Sequence, residues 1–504
     1  MSAYLGIDIG TSACKVAAFD DAGAMVAFAT GEYDLLTDAD GAAELDAAEV
    51  LRVCRDAVRD VAKQGPPIAA LGITSQGEAF TAVTQDGRLL NRAMVSSDTR
   101  SRSYVEAGIP GLDPAHLYQI TGHTPHPMFT LYKLAWLRDN RPDIWRAADQ
   151  FLCFEDLVQW RLGLDPAMGW PLAARTMLFN IRQGRWDPDI LAALGLGADR
   201  LARPLASGTV AGVVPSAIAA DWGLPEGVPV VTGGHDQACG ALGAGAIEPG
   251  SAMYATGTVE CITPAFAEPV FSDRLMQHNL CTYHHAAPNR YATVAFSLTG
   301  GNALKWFRNE FGQEEVRAAA AGGANAYDRL IELAGTEPSP LLCLPYLTPS
   351  GTPYFDADTP GAFLGFRLTT TRGDMVRALL EGIAFEMRLN LALLEEAGYP
   401  VHTLYAVGGG ARSREWTQLK ADVIGRPIHT LDVTEAGCRG VAMLAGAAVT
   451  ERPLAPMAQA WVKITDSVQP HAAHAAVYDR RFAAYQQGYQ AVRQVPAFGI
   501  PGVS

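Results

Sequence analysis

Asp8, Gly10, Thr11, Ser12 and Lys15 crowd into one small polar turn near the start of the chain. The turn joins two apolar runs, residues 4–9 and 13–19, a pattern that predicts a β-hairpin. Gly10 lets the backbone approach a ligand closely, and turn N–H groups together with hydroxyls can hold phosphate oxygens. Asp8 would repel a polyphosphate unless a divalent cation lay between them, so the turn reads as a seat for metal-bound phosphate. Alone, the same residues also describe an ordinary Asp/Gly hairpin. About half the chain further on, residues 251–262 repeat the arrangement of strand, Gly257-Thr258 turn and strand. Two such hairpins facing each other would close on a nucleotide from both sides. A third chemical stretch runs from the apolar strand 228–232 into Gly233-Gly-His-Asp-Gln-Ala-Cys-Gly-Ala-Leu-Gly243. This strand-to-helix turn exposes Asp236 at a helix N-terminus. A carboxylate there can take a proton from an attacking hydroxyl, while amides and dipole stabilise developing phosphate charge. Capping the helix is its plainer employment.

Other elements must carry these groups. Asp46-Ala-Ala-Glu49 starts a helix whose apolar positions run to Gly65. Residues 68–74 form a strand that delivers Ser75-Gln76-Gly77-Glu78, and a strand pair over 80–83 and 89–95 leads into Ser96-Ser97-Asp98-Thr99-Arg100. Strands ending in polar clusters are where open α/β sheets place ligands. From 113 to 203 the pattern is mainly helical, with Trp136, Trp145, Trp160 and Trp186 read as core. Residues 296–307 read as strand, glycine turn and helix, and 335–363 as a long ordered loop. Thr371 caps a helix running to Gly398. Strand 404–407 opens onto Gly408-Gly-Gly-Ala-Arg-Ser-Arg414, and the small residues of 434–448 suggest a helix pressed tightly against its neighbours. The aromatic stripe Tyr478, Phe482, Tyr485 and Tyr489 reads as core.

A chain of 504 residues is too long for one core, and the repeat places the expected boundary near Ala246, giving domains 1–246 and 247–504. A net charge of −14 leaves no basic field for nucleic acid or an anionic membrane, so phosphate must be held locally. No apolar run approaches membrane-spanning length, and the chain enters a strand at once. The eight cysteines lack any CxxC pair, the usage expected of a reducing cytoplasm. There is no GxxxxGK[ST], and no GxGxxG after the first strand, which excludes P-loop and Rossmann readings.

Taken together, DIGTS (8–12), SSDTR (96–100), GGHDQACGALG (233–243), ATGTV (255–259), GGNALKW (300–306), GGGARS (408–413) and TEAGCRGVAMLAGAA (434–448) resemble the FGGY family of carbohydrate kinases in order and spacing over most of the chain. The resemblance implies an α/β, two-domain actin-like (ribonuclease H-like) fold in which ATP and a sugar meet in a deep interdomain cleft. It makes Asp236 the catalytic base and Asp8 the ligand of Mg2+, with Asp236 sharing the ion. Gly10, Thr11, Ser12, Gly257 and Thr258 would line the triphosphate, and Lys15 would contact the transferring phosphate. Gly301 and Lys305 fall on the adenosine side, and Gly409, Gly410 and Ala411 form a flat seat under adenine. Gln76, Gly77, Glu78, Asp98, Asp236 and Gln237 would meet the substrate. Glu78 and Asp98 can each accept two hydroxyl hydrogens, which suits a polyhydroxylated ligand, while His126 and His235 are read as structural. Glycerol kinases carry arginine at the position of Gly77 and tryptophan at that of Ser96, so a roomier sugar side and a substrate larger than glycerol are expected. Xylulokinases carry Met-His-Gly where this chain has Gly77-Glu78-Ala79, although DTR and GGHDQACGALG lean toward that branch. The expected reaction is phosphorylation of a ketopentose such as xylulose. A polyol kinase for erythritol- or glycerol-like substrates is the alternative inside the kinase class. A non-catalytic actin-like nucleotide-dependent binding protein is the alternative outside it, and would be expected to lack Asp236 or Glu78. A homodimer is left open.

Overall fold

In the computed structural model, residues 2–356 and 358–495 are described. Ala3–Ile9 and Ala13–Phe19 pair antiparallel, with Asp8 directly opposite Lys15, and Met25–Glu32 adds a third strand outside them. Ile68–Ser75 and then Pro229–His235 join in parallel on the other side, giving a six-stranded sheet closed by Val210–Val213. The second half repeats the plan. Ser251–Thr256 and Glu260–Phe266 form its hairpin, Thr403–Val407 and Ile428–Leu431 add in parallel, and Ile464–Val468 ends the sheet antiparallel.

The strands are near-continuous apolar runs because helices cover both faces. Helix Ala47–Gln64, capped by Asp46 as its sequence predicts, lies on one face of the first sheet and brings Val53 against Gly31. Helix Ala436–Thr450 lies on the other. A Cβ on Gly6 would meet Cys438 O at 2.0 Å, and one on Gly72 would meet Val441 O at 2.4 Å. The same helix crosses Asp236–Gly243 through paired glycines: a Cβ on Gly243 would meet Ala436 O at 1.9 Å, and one on Gly440 would meet Cys239 O at 1.9 Å. Its small residues thus buy a backbone-to-backbone approach that no larger side chain permits.

Two differences from the sequence reading concern the cores and the loops. Buried residues 433–461 pack with the first sheet, where Trp461 stacks on Tyr4 and Phe19. Tyr283, Ala292 and Val294 join that core as well, so segments from both sides of Ala246 build it. Within 335–363, Leu342–Leu344 pairs with Ala362–Leu364, because a loop of that length needs backbone partners where it is buried. Helix Arg372–Glu396 carries the Thr371 cap, and Tyr478, Tyr485 and Tyr489 are buried as expected. All eight cysteines are buried and unpaired, and among the described residues no helix is long and apolar enough to cross a membrane.

Candidate active site

Asp236 is aimed by its strand. Gly233 and Gly234 do not form a turn but continue strand Pro229–His235, with a register shift beside Gly234 at φ 130°. The bulge re-aims the chain so that His235 caps, and Asp236 opens, helix Asp236–Gly243. Glu155, fully buried, accepts hydrogen bonds from Gly169 N (3.1 Å) and Gly233 N (2.9 Å) and so clamps this strand end from behind. The Asp236 side chain is 27% exposed, and its Oδ1 accepts no hydrogen bond although His235 Nε2 lies 3.1 Å away. His235 is held instead through Nδ1, 3.0 Å from the Tyr283 hydroxyl. Burial, then the negative charges of Asp8 and Glu78, push the Asp236 carboxyl up to about 7.

Asp8 stands next to last in the first strand and faces the first turn of helix Ala436–Thr450, where a Cβ on Gly437 would meet its Oδ2 at 2.4 Å. Only glycine leaves room for the carboxylate at that helix N-terminus. Burial raises the Asp8 carboxyl to about 6, with Lys15 opposing the shift and Glu435 adding to it. Lys15 itself reaches Glu435 at 2.7 Å, tying the first hairpin to the segment entering that helix. Thr11 and Ser12 stand exposed at the hairpin tip, with Gly10 half-buried beneath them.

The residues expected on the nucleotide side come together through backbone contacts. Gly257 O accepts from Gly301 N at 2.9 Å and Thr258 O from Asn302 N at 3.1 Å, so the second hairpin turn rests on the start of helix Gly301–Phe311. Lys305 is exposed on that helix. The glycine loop crosses Thr256, where Cβ atoms on Gly408 and Gly410 would lie 2.7 Å from its carbonyl and 3.0 Å from its Oγ1. Gly409 faces open space, and Ala411 follows it in the same short turn. A Cβ on Gly240 would meet Met253 Sδ at 3.0 Å, so the second hairpin also packs on the helix that begins with Asp236.

The expected sugar side is rearranged. Glu78 is buried at φ 63° and ion-paired to Arg175, while the Ser96 hydroxyl donates to its Oε2 at 2.6 Å. The strained Glu78 backbone is held by Thr130 Oγ1 (3.0 Å) and Lys133 Nζ (2.9 Å), both donating to its carbonyl. Gln237 keeps a buried side-chain oxygen without a partner. Three of the expected substrate-side positions are engaged within the protein. Asp98 is fully buried, and its carboxylate is filled by Arg100 and Ala43 N, so it organises its own loop and offers no free acceptor. The Gln76 amide donates to Gly10 O at 3.0 Å and accepts from Thr11 Oγ1 at 3.2 Å, because a buried amide must find both partners and the first hairpin supplies them. The room expected at Gly77 is taken. A Cβ there would meet His235 Nε2 at 3.1 Å and Arg175 Nε at 3.4 Å. Arg175 and Tyr283 are the residues that the sequence reading missed. The available signal was a lone arginine inside the apolar stretch 170–179, since a buried guanidinium requires a partner.

Comparison with known proteins agrees with this architecture. The N-terminal domain model of the FGGY family of carbohydrate kinases matches residues 3–243, and the C-terminal domain model matches 252–449. The chain is 26% identical over 501 residues to a xylulose kinase of Staphylococcus epidermidis, covering 98% of this chain and 97% of that protein. It is 27% identical over 454 residues to a gluconokinase of Bacillus subtilis, covering 88% and 87%. The crystal structure of a xyloylose kinase from Brucella ovis superposes with a TM-score of 0.87 at 29% identity, covering 97% of this chain and 99% of that one. With two family models matched in order along most of its length, the chain belongs to the FGGY family of carbohydrate kinases.

Proposed function

We propose that this carbohydrate kinase uses ATP and Mg2+ to phosphorylate a ketopentose such as xylulose, with Asp236 as the general base. One observation carries the reading: Asp236 keeps a buried oxygen without a partner, and its carboxyl sits at about 7. A base works best with its pKa near the operating pH. Asp236 takes the proton of the attacking hydroxyl, while Gln237, through its unpartnered oxygen, accepts from another hydroxyl of the substrate. Thr11, Ser12, Gly257 and Thr258 hold phosphate oxygens through turn amides and hydroxyls. Gly301, Lys305, Gly409, Gly410 and Ala411 receive the adenosine. The residues fit a divalent cation, since the Asp8 charge raises the Asp236 carboxyl and Asp236 Oδ1 is buried without a donor. Bound there, the ion would neutralise charge on the phosphates.

The ketopentose is supported by the several relatives named as xylulose kinases over nearly the whole chain. The polyol alternative loses the free Glu78 that motivated it, because Arg175 and Ser96 occupy that carboxylate. A second reading, a sugar acid, draws on the Arg175 guanidinium packed beside Gly77 and on the gluconokinase relative. A coupled ADP-release assay over ketopentoses, polyols and sugar acids separates these. The highest kcat/KM is expected on a ketopentose; a sugar acid in first place would move the assignment to the second reading, and no turnover on ketopentoses would end the first.

A further inference from the structure

Three side chains outside the residues above converge without a role in phosphoryl transfer. Asp422 lies in the last turn of helix Arg414–Ile424. His471 stands at the N-cap position, and His474 in the first turn, of the final helix Ala472–Arg493. Asp422 Oδ2 stands 3.0 Å from His471 Nδ1 and 3.0 Å from His474 Nδ1. Its other oxygen is already filled by His471 N at 2.7 Å and Gln418 Nε2 at 2.9 Å, which fixes Oδ2 toward both rings. The three ligand atoms lie within 4.8 Å of one another, and among the described residues no other such group of three occurs.

The geometry points to a zinc-class divalent metal site formed by Asp422, His471 and His474, joining the final helix to the helix that follows the glycine loop. A tetrahedral zinc with bonds of about 2.0–2.1 Å spaces its ligand atoms about 3.3 Å apart. The two 3.0 Å separations, hydrogen bonds without the ion, are a few tenths of an ångström from that spacing. The third pair of ligand atoms, within 4.8 Å, must close by rotation of the exposed His471 ring. Two imidazole nitrogens and one carboxylate oxygen, with a fourth position left open, are a zinc donor set; magnesium prefers oxygen alone. Asp422 is 2% exposed and gives a fixed floor, His474 is 18% exposed, and His471 at 56% leaves an entry path for the ion and a water. The group borders a cavity of about 850 Å³ that Arg412, Ser413 and Arg414 also line, so the metal would stiffen the support of the proposed adenine seat. This inference does not depend on which sugar is phosphorylated or on the role of Asp236.

The test uses untagged full-length protein, stripped with chelator and titrated with Zn2+ alone in a calorimeter, with thermal unfolding followed in parallel. One zinc per chain and a rise in Tm are expected, since a ligand that binds only the folded state stabilises it. His471→Ala, at an exposed position, and Asp422→Asn should each weaken binding at least about tenfold and remove the rise in Tm. The Asp8→Asn/Asp236→Asn double variant should keep both. Wild-type protein that takes up no stoichiometric zinc would overturn the site. So would unchanged zinc binding in a His471→Ala/His474→Ala variant, which would place the metal elsewhere.

Discussion

At Asp236 the burial that would ready the proposed base also costs the fold stability. The Asp8 and Asp236 carboxyls ionise at about 6 and about 7, against an ordinary value of 3.8. Between about pH 4 and pH 7 the unfolded chain therefore holds fewer protons at these positions than the native one, and stability falls as pH rises through that window. Asp236→Asn should accordingly raise the Tm of ligand-free protein by about a degree or two at pH 8 and leave it unchanged near pH 4. The same variant should lower kcat by about 10²–10⁴ while ATP affinity, read by calorimetry, stays within a few-fold. Unchanged turnover would remove Asp236 as the base. Wild-type kcat/KM should fall as pH drops below about 7, as the base becomes protonated. Arg175 supports a different expectation. Glu78 is only 2% exposed, so Arg175→Leu leaves a buried charge unpaired and should destabilise the protein by about 3–5 kcal/mol in urea unfolding.

The element on which the site depends is helix Ala436–Thr450. It touches the strand carrying Asp8 through Gly6, the helix opened by Asp236 through Gly440, and Asp8 itself through Gly437. Overpacking such a crossing typically costs about 1–3 kcal/mol. Gly440→Ala, whose methyl would fall 1.9 Å from Cys239 O, should show a loss of that size in urea unfolding together with reduced kcat, because the backbone must part where both carboxylates are held. The periodicity and small residues of 434–448 made this helix readable from the chain. Its target was not readable, since nothing local says that a segment so late in the sequence covers the first sheet.

For the molecule as a whole, two sheets of similar plan carry the two hairpins, and Lys15–Glu435 is a salt bridge between the first hairpin and the late segment. Phosphoryl transfer must exclude water from the reacting phosphate, and lid or domain closure is the usual means. Adding ATP analogue and sugar together should therefore shrink the radius of gyration in solution scattering. Identical profiles with and without both ligands would count against closure.

Much was settled by sequence alone: the two hairpins, the glycine loops, the Asp46 and Thr371 caps and the placement of Asp236 at a helix start follow from local rules of turns, caps and periodicity. Which polar groups remain free was decided only in three dimensions. Gln76, Glu78 and Asp98 look alike along the chain as polar residues after strands, yet Gly10, Arg175 and Arg100 claim them. Asp236 and Gln237 keep unpartnered oxygens. Buried hydrogen-bonding groups are satisfied by whatever the fold brings near, and those neighbours arrive from distant parts of the chain.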